Sequence, residues 1–439
     1  MIAPDDADYE ALRGVFSGEF NRRPAVIIRP KNAADVARAV TSARECGLPL
    51  AIRNGGHSGA GHSTTDGGIV LDLRDMRGVE IDTAGRTAWA EAGLTAGEYC
   101  AATGAHGLAT GFGDTGSVGI SGITLGGGVG FLVRKHGLTI DNLLEADLVT
   151  ADGELLRVDA ESHPDLFWAL RGGGGNFGVV SRFRYRLAPL DQIVGGMLFL
   201  PATPDVVEGF MHLAAAAPDE LSTIANVMTA PPIPLLPEEH HGSLIVMAFL
   251  VYAGDVEAGE RAVAPFKALA TPLADAVRPM AYPEMYPPDP EGPKVMAYGH
   301  NGFVDELGSA DYVEILERLQ QPSAPIRAVQ LRTLGGAMAE VPDDATAFAH
   351  RGRKIMVNLG TLFMTPDGLP AAKSWVEETA AWLHGDDQTS YVNFLGDEGP
   401  ERVRQAYPGP TWDRLREIKR RYDPDNLFRM NQNIPPADG

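Results

Sequence analysis

Of 439 residues only two are cysteine, Cys46 and Cys100. Two thiols cannot build a disulfide framework, and neither stands at metal-ligand spacing, so both read as reduced, buried thiols on helices. No stretch holds the roughly 18 uninterrupted apolar residues of a membrane span. The opening MIAPDDADYEALRG has no basic segment, apolar core or small-residue cleavage site, so the chain reads as cytoplasmic. Positive charge is scarce as well: 37 Lys and Arg against 58 Asp and Glu leave a net charge of -21. With no basic patch, that balance argues against nucleic acid and an anionic membrane surface. There is no internal repeat. What remains is a globular chain, 44% apolar and long enough for two or three domains, with a small molecule as the expected partner.

Along the first 190 residues short apolar runs alternate with helical ones. AVIIRP (25–30), NAADVARAVTSARECG and LPLAIR (48–53) read as a βαβ unit, with Asn32 as the helix cap, Val36, Val40 and Ala43 on one side and Gly47 at the end. Strands are expected at 68–73 and 87–93, a helix over 95–104, and two strands within LLEADLVTADGELLRV. From about residue 194 the texture changes. Strands GGMLFL, SLIVMAFLVYA, RAVQLRTLG and KIMVNLGTLF alternate with helices near 204–216, 255–270, 309–320 and 368–384, an α+β layer pattern. IPLLPEEHHG and the proline-dense stretch 282–294 read as loops between these elements.

Three glycine-rich motifs stand out. RNGGHS, from Arg53 to Ser58, is a turn directly after a strand. Its consecutive N–H groups can form a concave anion site that a pyrophosphate approaches over Gly55 and Gly56. GSVGISGITLGGGVGFLVRKHGLTIDN, from Gly116 to Asn142, crowds small residues around one apolar stretch, as close approach to a large flat ligand would require. GGGGNFG, from Gly172 to Gly178, satisfies G-x-G-x-x-G but follows a helix and precedes a strand. A dinucleotide fingerprint needs the reverse order, with a helix start beneath the pyrophosphate, so this segment is not read as an NAD site.

Singly these motifs are weak; their order and spacing are specific. IRNGGHS with DGGIVLDL, VGISGITLGGGVG with HGLTIDN, DLFWALRGGGGNFGVV, YVNF (391–394) and YDPDNLFRMNQNIPP (422–436) span nearly the whole chain. On these five pieces the sequence resembles the berberine-bridge-enzyme-like branch of the vanillyl-alcohol-oxidase, or p-cresol methylhydroxylase (PCMH-type), FAD oxidoreductases. The resemblance implies a PCMH-type FAD-binding domain over 1–193, an antiparallel-sheet substrate domain covered by helices over 194–394, and a C-terminal segment, 395–439, returning to the first.

The resemblance also assigns residues. It implies FAD bonded covalently through the ring of His57. A second, cysteinyl link is ruled out because Thr115 stands where doubly linked members have cysteine. Contacts to the cofactor are expected from Arg53, Asn54, Gly55, Gly56, His57 and Ser58. Others are expected from Gly113, Asp114, Thr115, Val118, Gly119, Ser121 and Gly122, and from Thr124, Leu125, Gly128 and Gly130. Val180, Tyr391 and Asn393 complete the set, with one of Asn431, Gln432 and Asn433. Tyr391 matches the family's base, though packing of its ring on the flavin is an alternative role. A tyrosine acting near neutral pH needs a positive neighbour, for which Arg332 and Lys354 are the candidates.

Val118 matches the position lining the oxygen approach, in the form found in members that use dioxygen. The implied reaction is therefore hydride transfer from an alcohol, sugar hydroxyl or phenolic substrate to flavin N5, with reoxidation by O2 to H2O2. The alternatives are an amine-oxidising or ring-desaturating flavoenzyme of secondary metabolism, and a dehydrogenase with another acceptor. His62 reads either as a cofactor contact or as a loop histidine bonded to backbone. His240 and His241 lack a third ligand, so no metal is expected. Of two i, i+2 pairs, Tyr298 with His300 and Gln330 with Arg332, one is expected to face the substrate; periodicity does not say which.

Overall fold

In the computed structural model, which describes residues 1–289, 294–321 and 324–438, the apolar interior is divided between two large cores. The first half opens with β1 (Val26–Ile28), α1 (Ala33–Cys46), β2 (Leu50–Arg53) and β3 (Ile69–Asp72). The three strands pair in parallel in the order β1-β3-β2, which requires a crossover between β1 and β2, and α1 supplies it. That helix buries Val36, Ala39, Val40 and Ala43. Asn32 accepts from the Asp35 N–H at its start, and Gly47, at φ +63°, donates to the Ala43 and Arg44 carbonyls at its end. Cys46 lies past the last packed position, Ala43, and is exposed; only Cys100 is a buried thiol. The expectation of two buried thiols is corrected accordingly.

The remainder of this half comprises β4 (Val79–Asp82), β5 (Thr87–Glu91), α2 (Ala96–Gly104), α3 (Ile120–Leu125), β6 (Leu143–Val149), β7 (Leu155–Asp159), α4 (Pro164–Leu170) and β8 (Val179–Arg186). Its five strands form an antiparallel sheet in the order β4-β5-β8-β6-β7. Gly172–Gly178 joins α4 to β8 through a single 3-10 turn, Gly174–Asn176. No helix follows the glycines, as the reading against a dinucleotide fingerprint requires.

The second half is one antiparallel sheet with helices on one face. Its elements are β9 (Ile193–Pro201), α5 (Pro204–Ala216), β10 (Leu221–Thr229), β11 (Leu244–Tyr252), α6 (Val256–Lys267), β12 (Ala274–Asp275), β13 (Arg278–Met280), β14 (Met296–Val304), α7 (Ser309–Gln320), β15 (Ile326–Thr333), β16 (Ile355–Phe363) and α8 (Leu369–His384). The strand order is β12-β9-β11-β10-β15-β16-β14, with β13 also on β9. Val227, Ala248, Val329, Leu331, Val357 and Leu359 point to the helix layer, packing with Phe210, Phe266, Ile315 and Trp375. By period two, Asn226, Gln330, Arg332 and Asn358 take the opposite face. On that face Ile224, Phe249 and Val251 join the core of the first half, so the sheet is buried on both sides. The tail adds α9 (Pro410–Tyr422), and Leu415, Ile418, Phe428 and Ile434 pack into the first core. Part of the proline-dense stretch, 290–293, lies outside the described residues.

Candidate functional site

Where the two halves and the tail meet lies a cavity of about 420 Å³. Five chain segments wall it: the turn after β2, the stretch from Gly113 into α3, the Gly174–Asn176 turn, Tyr391–Leu395 and Met430–Gln432, with Arg332 reaching in from β15. The first two stand back to back. A Cβ on Gly55 would come within 2.5 Å of the Gly119 nitrogen, so a side chain at this crossing would part the two turns. Asn54 Oδ1 ties them together by accepting from the Ser121 N–H at 3.2 Å. Beneath the turn, Arg53 pairs with Asp72 at 2.9 Å, both fully buried and in register across β2 and β3. Arg53 therefore braces the turn and does not line the cavity.

His57 lies on the wall. Its Nε2 shares a 3.0 Å hydrogen bond with the Ser117 hydroxyl, and the ring of Phe16 stacks on it at 4.1 Å with a 23° interplanar angle. Burial pushes the imidazole below its usual pKa, against a smaller opposing pull from Asp289, which favours the neutral ring.

On the same cavity the Tyr391 oxygen accepts three N–H groups: Gly128 at 2.9 Å, Val129 at 3.4 Å and Asn393 Nδ2 at 2.8 Å. The backbone of Tyr391 is fixed by its N–H donating to Asn301 Oδ1 at 2.6 Å. Burial raises the phenol above its ordinary pKa; the three hydrogen bonds and the Arg332 guanidinium pull the other way without cancelling it. Arg332 is paired with Asp114, donates from Nε to Gln330 Oε1 at 2.8 Å and lies over the Phe394 ring at 5.0 Å. Gln330 in turn donates to Asn226 at 2.8 Å. Lys354 is exposed and nearest to Glu306; of the two candidate cations, Arg332 is the one beside Tyr391. Tyr298 bonds Glu377 of α8 and His300 neighbours His384, so this pair faces the helix layer. The pair turned to the cavity is Gln330 with Arg332.

Most of the expected cofactor contacts come together on this wall: Asn54 to Ser58, Gly113 to Thr115, Val118, Gly119, Ser121, Gly122, Leu125, Tyr391 and Asn393. Four more lie behind it. Thr124 bonds the Tyr185 hydroxyl at 2.8 Å, Gly128 and Gly130 pack tightly on Thr139 and the Phe112 carbonyl, and Val180 is buried in the first core. His62 lines the cavity, with its own N–H bonded to Ser58 Oγ at 3.2 Å. Of the three tail amides, Asn431 and Gln432 reach the wall. Gly174, Gly175 and Asn176, in the segment not read as an NAD site and absent from the expected contacts, form one side of the cavity. The glycine density was the available signal, masked by its likeness to a different fingerprint. His241 bonds the Leu236 carbonyl at 3.0 Å, and no group that could hold a metal ion occurs among the described residues. Nor is any described helix long and apolar enough to cross a membrane.

The wall suits a large ligand with a flat body and polar edges. A Cβ on Gly122 or Gly175 would meet no protein atom within 4 Å. Protein packing therefore does not demand glycine at these two places, whereas a ligand lying against the backbone would. Asn54 Nδ2, Ser63 Oγ and Asn431 Oδ1 are buried on the wall with no protein partner, which is costly unless a bound group supplies one. Ile52, Ile123, Val129 and Val392 offer apolar contact. These features fit FAD.

Comparison with known proteins agrees. Residues 24–159 match the family described as FAD binding domain, and 390–435 match that described as Berberine and berberine like. The (R)-6-hydroxynicotine oxidase of Paenarthrobacter nicotinovorans is 31% identical over 99% of this chain and 96% of its own. An FAD-linked oxidoreductase of Dictyostelium discoideum is 32% identical over 94% of this chain and 89% of its own. The crystal structure of 6-hydroxy-D-nicotine oxidase from Arthrobacter nicotinovorans superposes with a TM-score of 0.87 at 28% identity, covering 99% of this chain and 97% of that one. The chain belongs to the berberine-bridge-enzyme-like family of FAD-linked oxidoreductases.

Proposed function

We propose that the chain is an oxidase that removes hydride from the carbon of an alcohol, sugar hydroxyl or phenolic substrate, with dioxygen as the final acceptor. The observation that carries this reading is the meeting of His57, Val118, the Asp114–Arg332 pair and Tyr391 on one cavity wall. The turn from Asn54 to Ser58, Gly119 to Gly122, Gly174 to Asn176 and Asn431 would hold FAD, with His57 as its covalent anchor. Thr115 leaves that anchor without a second. Bound FAD supplies a two-electron acceptor at N5 and, once reduced, a donor to dioxygen.

Tyr391 is the proton acceptor. A neutral phenol oxygen has two lone pairs, so three N–H donors overfill it, whereas a phenolate accepts all three. Because burial holds the phenol above its usual range, the base form grows in as pH rises. Arg332 adds positive charge beside it, and Val118 places a small apolar side chain on the oxygen approach.

The test is the absorption spectrum of the purified protein, then acid precipitation and in-gel flavin fluorescence of wild type beside His57→Ala, then peroxide release over an alcohol, sugar and phenol panel. Colour that stays with the wild-type chain and leaves the variant, with peroxide from one class, supports the reading. Colour freed from the wild type by acid removes the covalent anchor, and a protein that binds no FAD removes the function. A second reading, oxidation of a heterocyclic amine, is favoured by the 31% identity to the hydroxynicotine oxidase; imine-derived products in the turnover mixture would select it.

A further inference from the structure

We propose that Ser117 is a positioning residue for covalent flavin attachment: its hydroxyl accepts the Nε2–H of His57, which fixes the imidazole tautomer and leaves Nδ1 as the nucleophile. This rests on the covalent reading of His57 given above. Four observations carry it. The Ser117 hydroxyl and His57 Nε2 are 3.0 Å apart, and Nδ1 has no hydrogen-bond partner among the described residues. Ser117 itself is off the cavity wall, so it reaches the cofactor only through His57. The backbone on either side of it is clamped to the first turn of α2, where the Gly97 N–H donates to the Gly116 carbonyl at 2.9 Å and the Ala96 N–H to the Val118 carbonyl at 2.8 Å. Finally, Phe16 stacks on the ring at 4.1 Å, and its N–H is bonded to the Gly56 carbonyl at 3.2 Å. The imidazole is thus held in plane by one neighbour and at one edge by another.

The chemistry needs this arrangement. Only an imidazole nitrogen with a free lone pair attacks carbon, so the ring proton must sit on the other nitrogen. On attachment, Nδ1 forms a bond to the flavin's 8α-methyl carbon, the attachment point that the family resemblance implies, and one C–H bond of that methyl breaks, its proton passing to solvent. Nε2 passes its proton to Ser117, whose own proton moves on to water. The two electrons released reduce the flavin, and dioxygen takes them up with two protons as hydrogen peroxide. Burial of His57 supports the neutral ring that attacks.

The experiment compares wild type, Ser117→Thr, Ser117→Val and His57→Ala, prepared from flavin-starved cells and supplied with FAD. Total flavin after gel filtration reports binding; intact-chain mass and acid-stable in-gel fluorescence against time report attachment. Threonine and valine share a shape and differ in the hydroxyl. We expect all four to bind FAD and Ser117→Thr to attach it at a rate near wild type. Ser117→Val should attach it about tenfold more slowly, the scale of one lost hydrogen bond, and His57→Ala not at all. Equal attachment in Thr and Val variants, whether fast or slow, overturns the proposal, and so does a Val variant that loses binding together with attachment. A wild type with bound but wholly acid-labile flavin overturns the covalent reading itself, a separate and recognisable failure.

Discussion

At the scale of single residues, Tyr391 carries the heaviest load, because its oxygen is the common acceptor for two loops. Tyr391→Phe strands the Gly128 N–H, at a cost of about 1–3 kcal/mol, leaves Asn393 Nδ2 with the Ile123 carbonyl as its one acceptor, and deletes the proposed base. We expect FAD to remain bound while kcat falls by about 10²- to 10⁴-fold; a variant within threefold of wild type would show that the ring only packs on the flavin. Arg332 tests the same assignment through pH. Its charge lowers the phenol that burial raises, so Arg332→Met should move the limb on which kcat/KM rises with pH to higher pH. A limb unmoved or moved down would separate Arg332 from the base. How much of this was legible differs residue by residue. The i, i+2 spacing of Gln330 and Arg332 was visible in the sequence, but the direction in which the pair faces is set by the register of β15 against β10 and β16. The long-range packing of Ile224 and Phe249 on the first core then decides which face is inward. For the same reason nothing local distinguished Lys354 from Arg332.

At the scale of elements, α9 shows how the tail forms part of the site. Lys419 and Asp423 are an i, i+4 pair with fully buried side chains at 2.6 Å. Lys419 also donates to the Asn176 carbonyl at 2.7 Å and the Phe428 carbonyl at 3.0 Å, and Asp423 accepts from the Leu427 and Phe428 N–H groups. One ammonium therefore joins the Gly174–Asn176 turn to the stretch of tail that presents Asn431 and Gln432. Lys419→Met leaves a buried carboxylate unpaired, a loss of roughly 3–5 kcal/mol. In a His57→Ala background, where no covalent bond retains the cofactor, it should weaken FAD binding as measured by flavin fluorescence after gel filtration. Unchanged retention would make the pair structural only. The helices around the second sheet were readable because each has one apolar stripe: α5 and α7 span Pro204–Ala216 and Ser309–Gln320, as their pattern indicated. β10 shows no strand signal in the sequence, since all nine of its residues are buried and a strand covered on both faces loses its alternation. The short helical turns at Val133–His136 and Ala337–Glu340 are too brief to show a period.

At the scale of the whole molecule, the seam between the second sheet and the tail carries three histidines held neutral. Burial pushes His300 down to about 3, and His350 and His384 each to about 4, from 6.5. His350 bonds the Ala406 carbonyl at 3.0 Å, while His300 and His384 lie 5.5 Å apart between ring centroids. Arg402 and Arg353 add positive charge that disfavours protonation, and Asp387 opposes them. All three folded values lie below the unfolded one, so between about pH 4 and 6.5 the unfolded chain binds more protons than the folded one. Their contribution to stability is complete above pH 6.5 and is lost as pH falls through that window. The acidic groups that are lowered in pairs, such as Asp72 and Asp147, lose theirs at still lower pH, so the histidines act first. Thermal unfolding of the holoprotein should give a Tm several degrees lower at pH 5 than at pH 7.5. His384→Phe, which keeps a ring against Gly302 but cannot take a proton, should narrow that gap. Equal Tm values at the two pH values, or a gap untouched by the substitution, would show that the seam opens to solvent before its histidines titrate.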